Sequence, residues 1–327
     1  MTIPHRSGAV TAGLLLLGAL LTGCAGSTTD AASSDEGAGQ ARTVTDATGK
    51  DVEVPADPQR VVTLHYAATQ PLLDLGLMPV GQGEFEEGIL PEDIEAEVEQ
   101  VPVVTEMVDP KLEQIAELEP DLILSPNVLE DDVTAQLEAL APVYTFTLRG
   151  GDRAKWWQRT EEVADAINRT DQVDELAAEF EARQDEIAEE YADVIEGTTI
   201  GVIAAYEENN SYAWGEDNMT GTLLMPLGFT WSEQENQAVA SEPEPEATIS
   251  HERIASTVGD ADVLFIDSNL RGEVNVFMES LQQTPLYQDL PAVKADRAYT
   301  IGKATVAGYT DAHYTLDRVE KALQDLE

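Results

Sequence analysis

The chain has 327 residues, of which 63 are acidic and 18 basic, for a net charge of −45. That balance excludes nucleic acid as a bulk partner, because phosphate binding needs clustered Lys and Arg, and it disfavours docking on anionic lipid headgroups. Forty-three per cent hydrophobic residues still allow a large buried core, and a single cysteine leaves no disulfide and no thiolate metal site.

Met1 to Ser7 carries His5 and Arg6 and no acid, and Ala9 to Leu21 is almost wholly apolar. This is the order of a secretory signal over residues 1–23, with an apolar run too short to span a bilayer as a mature helix. Leu21-Thr22-Gly23-Cys24 resembles the lipobox of bacterial lipoproteins. The resemblance implies a diacylglyceryl group on Cys24, which becomes the new N-terminus and anchors the exported protein to the outer face of the cell membrane. From Cys24, residues 24–41 read as a flexible tether of Ala, Gly, Ser, Thr and acid. Its root-mean-square reach is about 23 Å.

Structure begins at Arg42. Thr43–Thr45 and Val52–Val54 flank Gly49-Lys50 and read as a hairpin. Arg60–Leu64 reads as a buried strand and Gln70–Leu75 as a short helix stopped by Gly76. Helix Leu112–Leu118, strand Leu122–Leu124, helix Val133–Leu140 and strand Val143–Phe146 follow. Short apolar strands alternating with helices imply a parallel sheet covered on both faces. Trp156–Ile167 is helical, with Trp156-Trp157 assigned to the core. Val173, Phe180, Ile187 and Val194 then recur every seven residues. They predict one helix over 171–195, about 37 Å long, ended by Gly197. Strand Ile200–Tyr206, helix Thr222–Leu227, strands Val263–Ile266 and Tyr299–Ile301 and helix Ala312–Leu326 complete the order, with Glu233–Pro245 read as loop. Glu113-Gln-Ile115-Ala116 before Asp121 is echoed by Glu252-Arg-Ile254-Ala255 before Asp262. The reading is α/β: an N-terminal lobe over 42–168, an interdomain helix over 169–196 and a C-terminal lobe over 197–327. Each lobe has a mainly parallel sheet flanked by helices, with a ligand cleft between the lobes.

Asp46 to Gly49, Val54-Pro55 with Pro58 to Val62, Leu75-Gly76-Leu77 with Pro79-Val80-Gly81, Leu118 to Leu124, Leu227-Gly228-Phe229 and Thr284 to Tyr287 stand in this order from Arg42 to the C-terminus. In order and spacing they resemble the solute-binding lipoproteins of bacterial ABC importers that carry ferric siderophores, haem and cobalamin. The resemblance implies rigid lobes with little closure, and a monomer that hands its ligand to a membrane permease with its cytoplasmic ATPase. It also implies that Glu113 and Glu252 dock on permease arginines. Open α/β sheets bind ligands at the carboxyl ends of their strands. That rule selects His65 and Tyr66, Phe85, Asn127, Arg149, Tyr212 and Trp214, Asn269 and Arg271, and Tyr309 as ligand contacts.

No His-x-His or His-x-x-His pair, no Gly-x-Ser-x-Gly elbow and no phosphate loop are present, so neither a protein-held metal, a cofactor nor an enzymatic step is expected. The expected ligand is a ferric siderophore, with a slight preference for hydroxamates because a strongly negative protein steers trianionic catecholates away. Haem or cobalamin is the alternative cargo, and a surface sensor or structural lipoprotein the alternative role.

Overall fold

The computed structural model describes residues 40–327. The signal segment, Cys24 and almost all of the tether lie outside the described residues.

Strands β1 (Ala41–Thr45) and β2 (Asp51–Pro55) form the expected antiparallel hairpin. The first half continues with β3 (Val61–Thr63), α1 (Tyr66–Asp74), β4 (Gln82–Gly83), α2 (Glu92–Val98), β5 (Val103–Glu106), β6 (Asp109–Pro110), α3 (Leu112–Glu117), β7 (Leu122–Pro126), α4 (Asp131–Glu138), β8 (Val143–Phe146) and α5 (Gln158–Ala166). Strands β3, β7 and β8 run parallel in that order, and β4 lies along the other side of β3 through the Val62–Gly81 bridge. Every residue of β3, β7 and β8 is buried. Their side chains alternate between two cores. Val61, Leu122, Leu124, Tyr144 and Phe146 face one; Val62, Ile123 and Val143 face the other. That is why these strands read as continuous apolar runs rather than alternating ones.

Helix α6 (Thr170–Glu190) is shorter than predicted. The backbone leaves helical geometry at Tyr191 (φ −106°, ψ 19°) before a last turn, α7 (Ala192–Ile195), and Gly197 then adopts φ +78°. Its heptad stripe serves two cores in turn. Val173 belongs to that of the first lobe, Phe180 and Ile187 to that of the second, and Leu176 packs against both. The helix is therefore a strut embedded in both lobes.

The second half comprises β9 (Thr199–Glu207), β10 (Asn210–Trp214), α8 (Met219–Leu224), β11 (Thr230–Trp231), α9 (Glu233–Val239), β12 (Glu246–Ser250), α10 (Ile254–Thr257), β13 (Val263–Asp267), α11 (Val276–Gln282), α12 (Pro285–Gln288), α13 (Pro291–Lys294), β14 (Ala298–Gly302) and α14 (Tyr309–Leu326). The sheet order is β12-β10-β9-β13-β14, with β11 also on β9. β9, β13, β14 and β11 are parallel; β10 and β12 are antiparallel additions at one edge. Helix α9 lies within the segment read as loop. Ser232 caps it by accepting from Glu235 N at 3.0 Å, and the buried Glu235 carboxylate accepts from Val202 N and Trp214 N. An acidic, exposed-looking sequence thus conceals one carboxylate that ties β9 to β10.

The internal echo has a structural counterpart. Asp121 accepts from Gln59 N and Arg60 N at the start of β3, and Asp262 accepts from Thr199 N at the start of β9. Each aspartate ties the start of its strand, β7 or β13, to the start of the parallel neighbour, β3 or β9. Ile115 and Ile254 are fully buried, while Glu113 is exposed in the first turn of α3 and Glu252 in the 3-10 turn His251–Arg253 that leads into α10.

Candidate functional site

A cleft of about 760 Å³ opens where the carboxyl ends of the two sheets face each other. His65 and Tyr66 follow β3, Glu86 to Ile89 follow β4, and Leu148 to Arg153 follow β8. From the other lobe come Tyr206, Tyr212 and Trp214 on β9 and β10, the loop after β13, and Lys303 after β14. Gly83 lets β4 come this close to His65, since a Cβ there would meet His65 Cα at 2.9 Å.

His65 caps α1: its Nδ1 accepts from Ala67 N at 3.1 Å. With Nδ1 an acceptor, the neutral ring carries its proton on Nε2. Burial, then the charges of Arg159 and Arg149, push its pKa down to about 4, so it is neutral at physiological pH. Arg159 is 8% exposed and donates only to carbonyls, those of Thr147, Leu148 and Val306. Among the described residues no carboxylate lies within 4.0 Å of Arg159 or Arg149. A buried guanidinium that no carboxylate contacts, with Glu162 three residues along α5 acting on its charge only at longer range, favours an anion beside it. Trp214 is 2% exposed, with its amide held by Glu235 and its carbonyl by Trp231 Nε1, while its own Nε1 has no partner. Tyr206 is 38% exposed as a residue, and burial of its hydroxyl, then the charge and hydrogen bond of Asp267, raise its pKa well above the ordinary tyrosine value.

The floor of the cleft is a polar seam between lobes. Lys303 pairs with Asp311 at 2.7 Å and donates to Gln70 Oε1, and Gln70 Nε2 donates to Asp311 Oδ1 at 2.7 Å. Asp74, at the end of α1, accepts from Tyr309 N at 2.7 Å and from the Thr310 hydroxyl at the start of α14. Burial raises the pKa of Asp74 and of the cleft-lining Asp267 to about 6. An ion pair closes each end. Arg153 meets Glu246 at 3.0 Å at the β8 end, and Arg271 meets Glu87 and the buried Glu95 at 2.7 Å each at the β4 end.

Six of the ten residues expected as ligand contacts line this cleft: His65, Tyr66, Arg149, Tyr212, Trp214 and Asn269. Phe85, Asn127, Arg271 and Tyr309 do not. Phe85 is half-buried within the strap of residues 84–90 that follows β4 and is not part of the cleft lining. The Asn127 side chain holds the loop after β8, accepting from Leu148 N and Arg149 N and donating to Arg149 O. Arg271 is committed to Glu87 and Glu95. Tyr309 is core, 5.0 Å from Trp156 ring to ring, and Trp156 packs on Phe180 at 4.9 Å. Sequence reasoning missed Arg153, Arg159, Lys303 and Asp267. One signal was available: Arg149, Arg153, Lys155 and Arg159 put four of the 18 basic residues within eleven positions. Among the described residues no group of His, Cys, Asp or Glu is placed to hold a metal ion, and no helix is long and apolar enough to cross a membrane.

The chain belongs to the periplasmic binding protein family, whose model matches residues 61–305. It is 28% identical over 319 residues to the probable siderophore-binding lipoprotein YfiY of Bacillus subtilis, covering 94% of this chain and 95% of that protein. It is 28% identical over 277 residues to the achromobactin-binding periplasmic protein of Dickeya dadantii, covering 81% and 86%. Among solved structures, the siderophore periplasmic binding protein from the fuscachelin gene cluster of Thermobifida fusca superposes with a TM-score of 0.71 at 27% identity, covering 83% of this chain and 98% of that one.

Proposed function

We propose that this protein is the extracytoplasmic solute-binding component of an ABC importer, capturing a ferric siderophore and delivering it to a membrane permease without a catalytic step. The observation that carries the reading is a preformed cleft between two lobes that combines guanidiniums without carboxylate partners with an aromatic wall. Iron stays in the chelate's own oxygen shell; the arginines and the His65 Nε2–H meet chelate oxygens, and Tyr66, Tyr206 and Tyr212 cover its apolar rim. His65 offers the cleft a donor rather than a lone pair, which suits a chelate oxygen better than a haem iron. The names of the relatives, siderophore-binding and achromobactin-binding, support the same class. The net charge steers neutral hydroxamates in preference to trianions at long range, but that field is screened beyond about 8 Å at physiological ionic strength, whereas the arginines act at contact.

The lobes correspond to 42–168 and 197–327 with the connecting helix over 169–196. The mature chain is held to the outer face of the cell membrane by lipid on Cys24, and works as a monomer. Glu113 and Glu252, one exposed carboxylate at the same motif position in each half, are its docking points on the permease. Equilibrium dialysis against ferric hydroxamates, ferric catecholates, ferric citrate, haemin and cobalamin tests the cargo. Retention of one ferric chelate and not of its iron-free form is the expected result; retention of haemin or cobalamin alone overturns it.

A further inference from the structure

Apart from Lys303, which is paired with Asp311 and also reaches Ile89 O, and the buried Asp267, the charged residues of the cleft are sorted by end. In the first lobe, the loops that reach the cleft leave β4, β3 and β8, and the sheet order places β4 and β8 on opposite sides of β3 and β7. At about 4.8 Å per strand, the two outer loops are about 14 Å apart. The β8 end carries Arg149, Arg153 and Arg159. The β4 end carries Glu86 and Glu87 on the strap 84–90. The second lobe matches this division. The loop after β13, with Glu273, is pinned to the strap by Leu270 N donating to Gly88 O at 2.8 Å and by Arg271 on Glu87 and Glu95. Gly88 (φ +81°) makes that approach possible, since a Cβ there would lie 2.4 Å from Asn269 Nδ2.

Part of the charge at each end is already spent on the ion pairs Arg153–Glu246 and Arg271–Glu87. What is left is complementary. Arg149 and Arg159 have no carboxylate within 4.0 Å, and Glu86 and Glu273 have no Lys or Arg within that distance, among the described residues. The unpartnered indole N–H of Trp214, on the β10 side next to the Arg153–Glu246 pair, adds one more donor at the basic end. Fourteen ångströms exceeds a physiological Debye length, so the two ends do not neutralise each other through solvent.

We propose that the transported chelate is zwitterionic: its anionic oxygens sit at the Arg149–Arg159 end, and a cationic arm, a primary ammonium or a guanidinium, lies against Glu86 and Glu273. This rests on the ferric-chelate reading above and specifies the ligand's charge pattern. A purely anionic chelate would leave its periphery against two carboxylates, and a purely cationic one would face two guanidiniums.

The test uses one ferric citrate-based dihydroxamate chelate with a terminal primary amine, and the same chelate with that amine acetylated, titrated into the protein at physiological salt. The free amine is expected to bind three- to tenfold more tightly. In the Glu86→Gln/Glu273→Gln variant, two exposed changes that leave the fold alone, the ratio is expected to fall towards one. A ferric chelate that binds with a ratio of one or below in the unaltered protein overturns this inference and leaves the ferric-chelate reading standing. Absence of binding by these two and by every ferric chelate of the dialysis panel overturns both.

Discussion

Gln70 and Asp311 stand 241 residues apart in the chain, yet Gln70 Nε2 donates to Asp311 Oδ1 at 2.7 Å with both side chains buried. The pair joins α1 of the first lobe to α14 of the second beneath the cleft, and Lys303 completes it. Long-range polar contacts of this kind make the lobes one unit and favour a cleft that changes little on binding.

Asp311 is the acceptor for Gln70, for Ala307 N and for the Lys303 ammonium. Asp311→Ala leaves that cation buried and unpaired, so a loss of about 3–5 kcal/mol is expected in urea unfolding. Combining it with Lys303→Met replaces the pair by apolar volume and should recover much of the loss. A single variant that loses less than about 1 kcal/mol would refute the seam.

Asp74 and His65 give stability opposite pH dependences. The Asp74 carboxyl titrates near 6 when folded against 3.8 unfolded, so its contribution is full below 3.8 and is lost as pH rises through 6. His65 titrates near 4 when folded against 6.5 unfolded, so its contribution is present above 6.5 and lost as pH falls towards 4. Melting curves of the protein and of Asp74→Asn, followed in parallel from about pH 4 to about pH 7, should show the variant gaining on the parent as pH rises. A constant difference would contradict the shift.

Arg159 and Arg149 are expected to carry the anion contact. Arg149→Gln, at an exposed position, should leave stability within about 0.5 kcal/mol while weakening binding of a carboxylate-bearing ferric chelate by about tenfold, or about 1.4 kcal/mol. Arg159→Met should weaken it at least as much and also destabilise, since three carbonyls lose their donor. Equal affinity in both variants and parent, read by calorimetry, would remove the arginines from the site.

Docking separates from binding. Glu113→Lys with Glu252→Lys should abolish uptake of chelated radioactive iron by cells while leaving the dissociation constant within twofold, because both side chains are exposed and line no part of the cleft. Unchanged uptake would remove them from the permease contact.

Much of this architecture was legible because its signals are local. The apolar runs at Val61, Leu122, Val143 and Val263 can be satisfied only by strands buried on both faces, and the stripe Val173–Phe180–Ile187 only by a helix with two partners. Strands β4 (Gln-Gly) and β12 (Glu-Ala-Thr-Ile-Ser) carry no continuous apolar run and so give no signal, and α9 was hidden because its one buried acid, Glu235, looks like its solvated neighbours. Of the residues that strand-end logic selects, His65, Tyr66 and Asn269 stand in the cleft wall. Arg271 and Tyr309 stand outside the lining, because sequence does not show that Arg271 is claimed by Glu95 across the lobes or that Tyr309 turns inward against Trp156. Arg159 was missed because it projects from a helix rather than from a strand end.

The most direct test of the central claim is the indole emission of the protein, titrated with a ferric chelate and its iron-free form. Trp214 lines the cleft, while Trp156, Trp157 and Trp231 do not. The account predicts saturable quenching by the ferric form alone, reduced in Trp214→Phe. No quenching by any ferric chelate, or quenching that Trp214→Phe leaves untouched, would contradict it.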